Sequence, residues 1–351
     1  MRTDDFRPLP DLASRTLAGS VVYANDELFA ERENLIKPEP AVFSTESFGH
    51  KGKIYDGWET RRRRESGFDY AIVRLGVPGI VHGVVVDTAW FKGNYPPHIS
   101  VEATSIEGFP TVAELESASW VTLVAKSEVK GDSENPFDVG DRHRYTHVRL
   151  TIYPDGGVAR FRVHGDPVPD PRLLTGTIDL AGLENGGTVV DCSNMFYSSP
   201  LNILRPDRAR IMGDGWENAR RRDSGNDHVT VRLAARGSVR RVEIDTSYFI
   251  GNSAGWGSLY GIDATANDLE DADAWVEIVP KTRLQPDTRH FFGAASKVPV
   301  THVRLDVFPD GGLARLRING EIDDATLGKL TTRWQESLPD VHSKAASAAD
   351  L

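Results

Sequence analysis

The sequence predicts an all-β chain built from two tandem jelly-roll β-sandwich domains, and its internal duplication is the first reason. Residues 56–94 align with 214–252 without a gap, and 21 of the 39 positions are identical. Residues 146–165 align with 301–320 at 13 of 20 positions, again without a gap. Self-similarity over such distances is the signature of a repeated structural unit, so we expect two copies of one domain.

Alternating hydrophobicity is the second reason, because it has the period of a strand with one buried face. In VARFRVHG, Ala159, Phe161 and Val163 alternate with polar residues. The preceding PDGG is typical of a hairpin turn whose glycines supply positive φ. Short strands joined by glycine-rich and proline-rich connections favour a sandwich over a helical fold.

The same alternation predicts which side chains face outward. It places Arg160, Arg162, Arg315 and Arg317 on the outer face, where we expect a solvated or subunit-contacting surface.

The domain boundaries follow from the repeats and from breaker residues. The first repeat is expected over 11–170 and the second over 171–330, because three prolines in GDPVPDPR (165–172) prevent a helix from continuing. A short helix is predicted around 110–118. Residues 331–351 are expected to form a C-terminal tail that frays at its end.

Composition excludes several classes of protein. The 351 residues carry 51 acidic and 41 basic side chains, a net charge of −10, which argues against nucleic-acid binding. No apolar run is long enough to span a membrane, and the start of the chain lacks the pattern of a signal peptide. With Cys192 as the lone cysteine, no internal disulfide or CxxC zinc site is expected. A cytoplasmic enzyme or binding protein fits these features, and a homo-oligomer is compatible with them.

The run DGWETRRRR at 56–64 is the feature most suggestive of chemistry. Arginine can grip a carboxylate through two parallel charge-assisted hydrogen bonds, and a neighbouring carboxylate can transfer protons once its pKa is shifted. The competing interpretation is that these groups form a salt-bridge network that only fixes the loop. The residues alone do not choose between the two.

Candidate residues come from this run and from the segments C-terminal to it. As catalytic groups we expect Asp56, Glu59, Asp87 and, as an alternative, His98. As substrate-binding groups we expect Arg61, Arg62, Arg63, Arg64, Arg74, Lys92 and Asn94. The equivalents in the second repeat are Asp214, Glu217, Arg220, Arg221, Arg222, Asp245 and Asn252. No metal site or cofactor is evident, and the sequence leaves a divalent metal open.

Differences between the copies favour the first repeat as the functional one. Thr60 and Arg61 become Asn218 and Ala219, and Lys92 becomes Ile250. Features retained in both copies serve the fold at least as much as they serve a site. The Thr60 and Arg61 pair is therefore the sharper functional candidate.

The motifs DGWETRRRR and VDTAWFKGNYPP, with DGWENARRR and IDTSYFIGN in the second copy, resemble those of the allantoicase family. The repeat openings DLASRTLAGSVVYANDELFA and DLAGLENGGTVVDCSNMFY are similar as well, so the resemblance covers about residues 11 to 325. It implies jelly-roll domains of the galactose-binding type and hydrolysis of allantoate to ureidoglycolate and urea, a step of purine degradation. Two alternatives stay open: a non-catalytic sugar-binding or small-ligand-binding sandwich, and a related enzyme that cleaves ureidoglycolate.

Overall fold

The computed structural model describes residues 5–339 except 45, 47, 50, 51 and 54. The chain divides into two compact units. One runs to Val168 and takes in the residues from Trp334 onward, and the other is Pro169–Arg333. Both are built almost entirely of antiparallel strands, so the predicted all-β class and tandem arrangement are confirmed.

Short elements follow one another in the same order in each unit. The first unit contains β1 Ser20–Ala24, β2 Phe48–Gly49, β3 Gly52–Lys53, β4 Trp58–Glu59, β5 Asp69–Asp87, β6 His98–Thr104, α1 Val112–Ser117, β7 Val121–Glu128, β8 Glu134–Asp138, β9 Arg144–Tyr153, β10 Gly157–Val158 and β11 Arg160–Pro167. The second contains β12 Thr177–Asp179, β13 Thr188–Cys192, β14 Asp227–Asp245, β15 Trp256–Ile262, β16 Val276–Arg283, β17 Arg289–Gly293, β18 Pro299–Phe308 and β19 Arg315–Ile322. Helix α2, Asp324–Glu336, follows β19.

Single 3-10 turns connect these strands. They are Arg15–Leu17, Arg32–Ile36, Pro171–Leu174, Leu183–Asn185, Pro200–Leu204, Met212–Asp214 and Ala272–Ala274.

Strand β5 folds back on itself and so belongs to both layers of the first sandwich. Its first half pairs with β1 and β9, its second half pairs with β8 and β11, and the register breaks between Arg74 and Gly79. A straight strand of this length would extend about 60 Å. The partners of its two ends, Ile152 and Arg160, are only eight residues apart and so lie within about 30 Å of each other. The two ends of β5 therefore lie much closer to each other than they would in a straight strand, toward one end of the sandwich.

The second unit repeats this arrangement. Strand β14 pairs with β13 and β18 in its first half and with β17 and β19 in its second, with a register break between Arg232 and Gly237. Inward residues of both layers bury the core, and Trp58 and Trp216 are fully buried at equivalent positions. Burial of such large rings stabilises each sandwich and explains why both tryptophans are retained.

The prediction that Arg160 and Arg315 face solvent is wrong. They are 1% and 2% exposed, because the segments that follow Pro38 and Pro206 fold over that face of the sheet. Arg160 donates to the carbonyl oxygens of Glu39 and Asp56 at 2.9 and 3.0 Å, and Arg315 makes the equivalent contacts. Matching the donors in this way offsets the cost of burying a guanidinium.

The two α-helices are short, and the first confirms its prediction. Helix α1 begins with a capping box in which Thr111 and Glu114 satisfy each other's backbone amides. The predicted tail, by contrast, begins inside α2, which continues to Glu336. Trp334 lies over the fully buried guanidinium of Arg144, 5.0 Å from the ring centre, and this packing extends the ordered chain. Residues 343–351, where fraying is predicted, lie outside the described residues.

No helix in the described part of the chain is long and apolar enough to cross a membrane.

One buried carboxyl group makes the second unit sensitive to pH. Burial raises the pKa of Glu184 to about 7, the negative charge of Asp179 adds to the shift, and Arg317 opposes it. The Oε2 atom of Glu184 is buried without a hydrogen-bond partner among the described residues. Ionisation of this group is therefore penalised in the folded state.

We predict that Glu184→Gln stabilises the protein at pH 8 and has little effect at pH 5. An acid whose pKa is higher in the folded than in the unfolded state loses stability as pH rises through the interval, here from about 4.5 to about 7. The loss amounts to at most about 3 kcal/mol. Urea unfolding of both proteins at the two pH values measures it, and an equal pH dependence in both would contradict the assignment.

Candidate functional site

The PDGG turn between β9 and β10 holds the arginine motif at the end of the first sandwich. Asp155 accepts a hydrogen bond from the backbone amide of Arg63 at 2.8 Å. Gly156 bonds the backbone of Thr60 at 3.1 Å, and the amide of Gly157 donates to the carbonyl of Asn94 at 2.7 Å. One turn thus fixes both the motif and the later GN segment.

The two glycines of the turn are needed for different reasons. Gly156 has φ 142°, a conformation that favours glycine. Gly157 lies against the ring of Phe91, where a Cβ atom would come within 2.0 Å of the ring. The predicted positive φ is therefore confirmed for Gly156. Gly157 instead lets the backbone of the turn lie against the Phe91 ring.

Glu59 and Asn94 form the centre of the site. The side-chain amide of Asn94 donates to Oε1 of Glu59 at 2.6 Å. The Glu59 side chain is half-buried, and its Oε2 atom has no protein partner among the described residues. Burial raises the pKa of Glu59, and the hydrogen bond from Asn94 partly offsets that shift. A carboxyl of this kind can hold a proton for transfer at a pH where an exposed glutamate would have lost it.

The arginine run divides into structural and free members. Arg63 binds the buried carboxylate of Asp69 through Nε and one terminal nitrogen at 3.0 and 2.7 Å. Arg61 is ion-paired with Asp26, which also accepts from the Arg61 amide at 2.9 Å. Arg62 and Arg64 are exposed and, within the described residues, have no ion pair or side-chain hydrogen bond. These two guanidinium groups are available to an anion.

Asp56 is occupied by structural contacts. Its carboxylate accepts from Arg160 at 2.7 Å, from the Val42 amide at 3.0 Å and from Lys37 at 3.1 Å. Burial alone would raise the pKa of Asp56, but these hydrogen bonds hold it below its usual value. The group suits a fixed anion that anchors the covering segment, and it is poorly placed to exchange protons.

The other catalytic candidates lie near the same end of the sandwich but are not joined to Glu59. Asp87 caps the following turn by accepting from the Ala89 amide at 2.8 Å, and burial raises its pKa, with the charge of Glu134 adding to the shift. His98 lies at the start of β6, with Nε2 3.9 Å from Glu128. Neither contacts the Glu59 and Asn94 pair.

Two more of the predicted substrate-binding residues make contacts of their own. Lys92 is largely exposed, 3.7 Å from Asp132. Arg74 lies five residues into β5, roughly 17 Å along the strand from Asp69, with its guanidinium 4.7 Å from the centre of the Phe109 ring. The structure does not bring Arg74 together with the arginine run.

The second repeat reproduces the framework of the site, meaning the Glu and Asn pair, the buried Arg and Asp pair, and the contact between the arginine motif and the PDGG turn. Asn252 donates to Glu217 at 2.6 Å, and Arg221 binds the buried Asp227 at 2.9 Å while its amide donates to Asp310 at 2.6 Å. Three of the remaining predicted residues match their counterparts: Arg220 and Arg222 are exposed, and Asp245 caps the following turn by accepting from the Ser247 amide. Asp214 differs slightly from Asp56, because it accepts from the Arg210 amide.

Thr60 belongs to the framework and is not unique to one repeat. Its hydroxyl accepts from the Gly156 amide at 3.2 Å, and the side-chain oxygen of Asn218 accepts from the Gly311 amide at 2.8 Å. The two residues differ in type, but both side chains accept a hydrogen bond from the first glycine of the turn. Of the pair singled out in the sequence, only Arg61 distinguishes the first repeat.

The salt-bridge interpretation of the run included Asp69, and the structure pairs Asp69 with Arg63. Sequence reasoning missed the other two acidic partners, Asp26 and Asp155. The recurrence of Asp155 as Asp310 was the available signal, since a carboxylate repeated in both copies is a candidate partner of the repeated arginine motif. Within the described ranges, no three His, Cys, Asp or Glu side chains gather closely enough to hold a metal ion. The cofactor requirement stays a prediction.

The fold and the site together define a tandem jelly-roll protein with a half-buried acid, Glu59, followed at three and five residues along the chain by the exposed Arg62 and Arg64. Residues 10–168 and 178–323 match the family model described as "Allantoicase repeat". The chain belongs to the allantoicase family.

Similar proteins cover nearly all of the chain. A protein of Nocardia farcinica named "Probable allantoicase" is 56% identical over 321 residues, 90% of this chain and 95% of that one. The protein of Dictyostelium discoideum named "Allantoicase" is 42% identical over 90% of this chain and 88% of its own. A crystal structure of allantoicase from Saccharomyces cerevisiae has a TM-score of 0.76 at 35% identity, covering 89% of this chain and 92% of that one.

We predict that the adjacent substitutions Arg63→Ala and Arg62→Ala have different effects on stability. Removing Arg63 leaves Asp69 buried without its countercharge, a change that costs about 3–5 kcal/mol. Removing the exposed Arg62 should change the free energy of unfolding by less than about 0.5 kcal/mol. Urea denaturation compares the two, and equal losses would mean that Arg62 is also part of the structural network.

Proposed function

We propose that the chain is an allantoate amidinohydrolase that converts allantoate and water to ureidoglycolate and urea, with its site in the first repeat. The observation that carries this proposal is the pairing of Glu59 with Asn94, because it provides an acid of raised pKa at the end of the sandwich. Membership of the allantoicase family supports the choice of substrate.

Free guanidinium groups bind the carboxylate of the substrate. Allantoate carries one carboxylate and two ureido groups on a single carbon. Arg62 and Arg64 have no partner within the described residues, so neither must give up an existing ion pair to bind an anion. A two-point charge-assisted contact orients the carboxylate as well as holding it.

Glu59 supplies the proton that the leaving group needs. The bond between the central carbon and one ureido nitrogen breaks, and this nitrogen takes the proton from Glu59 as urea departs. Water supplies the hydroxyl group of ureidoglycolate and loses one proton, so Glu59 is protonated again at the end of the cycle. The same proton transfer serves direct attack by water and elimination followed by hydration.

Asn94 positions Glu59. Its amide fixes Oε1 and leaves Oε2 to face the substrate. Since this hydrogen bond also lowers the pKa of Glu59, Asn94 sets how far burial can raise it. The backbone of Asn94 is held by Gly157, so the position of the pair depends on the PDGG turn.

We predict that Glu59→Gln lowers kcat for allantoate by about 100-fold or more, because a positioned general acid contributes at least that much. The melting temperature should change little, since Gln keeps the shape and can accept from Asn94. The matched control is Glu217→Gln in the second repeat, which should retain more than half of the activity.

Release of urea and ureidoglycolate from allantoate is the measurement. Full activity of Glu59→Gln, or equal losses in both variants, would contradict the assignment to the first repeat. Turnover of ureidoglycolate alone, or sugar binding without turnover, would replace the proposed substrate.

We predict that kcat falls as pH rises through the pKa of Glu59, because only the protonated carboxyl can act as the acid. Asn94→Ala should move this limb of the profile to higher pH, since the amide that lowers the pKa of Glu59 is gone. A purely structural role for Asn94 would lower activity without moving the limb. The pH dependence of kcat for both proteins decides between these outcomes.

A further inference from the structure

The segment from Thr88 to Tyr95, which carries Asn94, contains a residue in an unfavourable backbone conformation. Trp90 has φ 71°, in the left-handed region that bulky side chains avoid. A residue stays in such a conformation only where the surrounding contacts hold it there, and residues of this kind cluster at functional sites. The shape of this segment therefore depends on the groups that bind the backbone around Trp90.

Asp132, in the loop between β7 and β8, binds that backbone in two ways. Its Oδ1 atom accepts from the amide of Trp90 at 2.8 Å. Its own amide donates to the carbonyl oxygens of Thr88 and Phe91, each at 3.2 Å. One residue thus binds three backbone groups of a single turn. Because the Trp90 amide needs an acceptor, only a side chain with an oxygen atom can take the place of Asp132.

The loop that carries Asp132 is itself fixed at the end of β5. The hydroxyl of Thr88 donates to the carbonyl of Lys130 at 2.6 Å. The side chain of Asn135 accepts from the Lys130 amide at 2.8 Å and donates to the carbonyl of Val86 at 3.1 Å. Asp132 therefore holds the turn from a loop whose own position is set by hydrogen bonds on both sides.

The same loop also contacts the residue that follows Asn94. Gly131 lies against the ring of Tyr95, and a Cβ atom at Gly131 would come within 2.3 Å of that ring and 2.8 Å of the Phe91 carbonyl. The loop therefore touches the chain on both sides of Asn94, at Phe91 before it and at Tyr95 after it.

The second repeat keeps the first of these contacts and lacks the second. Tyr248 has φ 68°, and its amide donates to Oδ1 of Asp287 at 2.8 Å. Pro286 and Ser253 stand where the first repeat has the glycine and the tyrosine that touch each other. Asp287 is therefore a matched control for Asp132, with the same local geometry in the repeat that does not carry the proposed active site.

We propose that Asp132 is a positioning residue of the active site and acts through Asn94, by holding the strained turn that leads to it. Asn94 has to present its side-chain amide to Glu59, 2.6 Å away. A displacement of about 1 Å at such a contact can lower turnover by about 100-fold. This role rests on the proposed function of Glu59 and Asn94, and it extends that site to a loop outside the arginine motif.

The first experiment compares D132A with N94A. D132A removes the acceptor for the Trp90 amide, so the turn can relax and Asn94 moves away from Glu59. We expect kcat for allantoate to fall by about 10-fold to 100-fold, and the alkaline limb of its pH profile to move to higher pH as in N94A. In an N94A background, D132A should have little further effect, because residues that act through one contact are not additive.

Two further variants separate positioning from stability. D132N keeps a side-chain oxygen for Trp90 and suits the positive φ of 52° at this position, so it should restore most of the activity. It gives up only an exposed contact with Lys92, 3.7 Å away, which contributes little. D287A should lower the melting temperature about as much as D132A does while retaining more than half of the activity. Circular dichroism verifies that each variant is folded.

A titration of Glu59 tests the same role without the substrate. The ¹³C resonance of its carboxyl group, identified by its absence in E59Q, should titrate at higher pH in D132A and in N94A than in wild-type protein. Loss of the Asn94 amide has this direction because that hydrogen bond lowers the pKa of Glu59.

Three results would show that Asp132 only stabilises the fold: equal losses of activity in D132A and D287A, additive losses in D132A and N94A, or an unchanged titration of Glu59 in D132A. Each of them leaves the proposed hydrolysis of allantoate intact. Wild-type protein that releases no urea from allantoate would instead contradict the proposed function, and the titration of Glu59 would still decide whether Asp132 positions Asn94.

Discussion

The close approach of the PDGG turn to a phenylalanine ring is the contact on which the rest of the site depends. Gly157 and Gly57 face the ring of Phe91 from two sides, and a Cβ atom at either position would lie within 2.7 Å of it. Because the turn lies this close, its backbone reaches the arginine motif and the GN segment at the same time. Phe249 has the same role in the second repeat, with Gly312 and Gly215.

Burial explains why one arginine run contains both ion-paired and unpaired members. Asp69 is 1% exposed, so its charge must be matched within the fold, and Arg63 does so. Arg62 and Arg64 point to solvent and cost nothing to leave unpaired. The salt-bridge interpretation of the run therefore holds for Arg61 and Arg63, and the anion site stays a proposal for Arg62 and Arg64.

Much of the fold could be predicted from the sequence, because duplication and alternation are written in local patterns. The predictions failed where a side chain depends on a distant segment. Arg160 follows the outward period of its strand, yet a connection more than a hundred residues earlier covers it and supplies its acceptors. The sequence suggests a catalytic role for Asp56 because its position beside the arginines is visible, whereas its contact with Arg160 is not.

Comparison of the two copies does not by itself separate the residues that hold the framework from those that form a site, as Arg74 and Thr60 show. Arg74 is retained in both copies and lies far along the strand from the arginine run, so retention did not indicate the site. Thr60 differs from Asn218, but both bind the backbone of the turn, so difference did not indicate function. What separates the repeats is charge at the rim: Arg61 with Asp26 and Lys92 with Asp132 in one, uncharged residues at three of these positions in the other.

The exposed residues around the Glu and Asn pair, which form the rim of the site, can differ between the two copies because they do not hold the framework together. The turn, the buried arginine pair and the Glu and Asn pair are interdependent, since loss of one removes a hydrogen-bond partner from another, and both copies keep them. Rim side chains contact mainly solvent, and a change from lysine to isoleucine at such a position has little effect on the isolated fold. The second repeat therefore carries uncharged residues where the first carries Asp26, Arg61 and Lys92, while both copies keep the same framework.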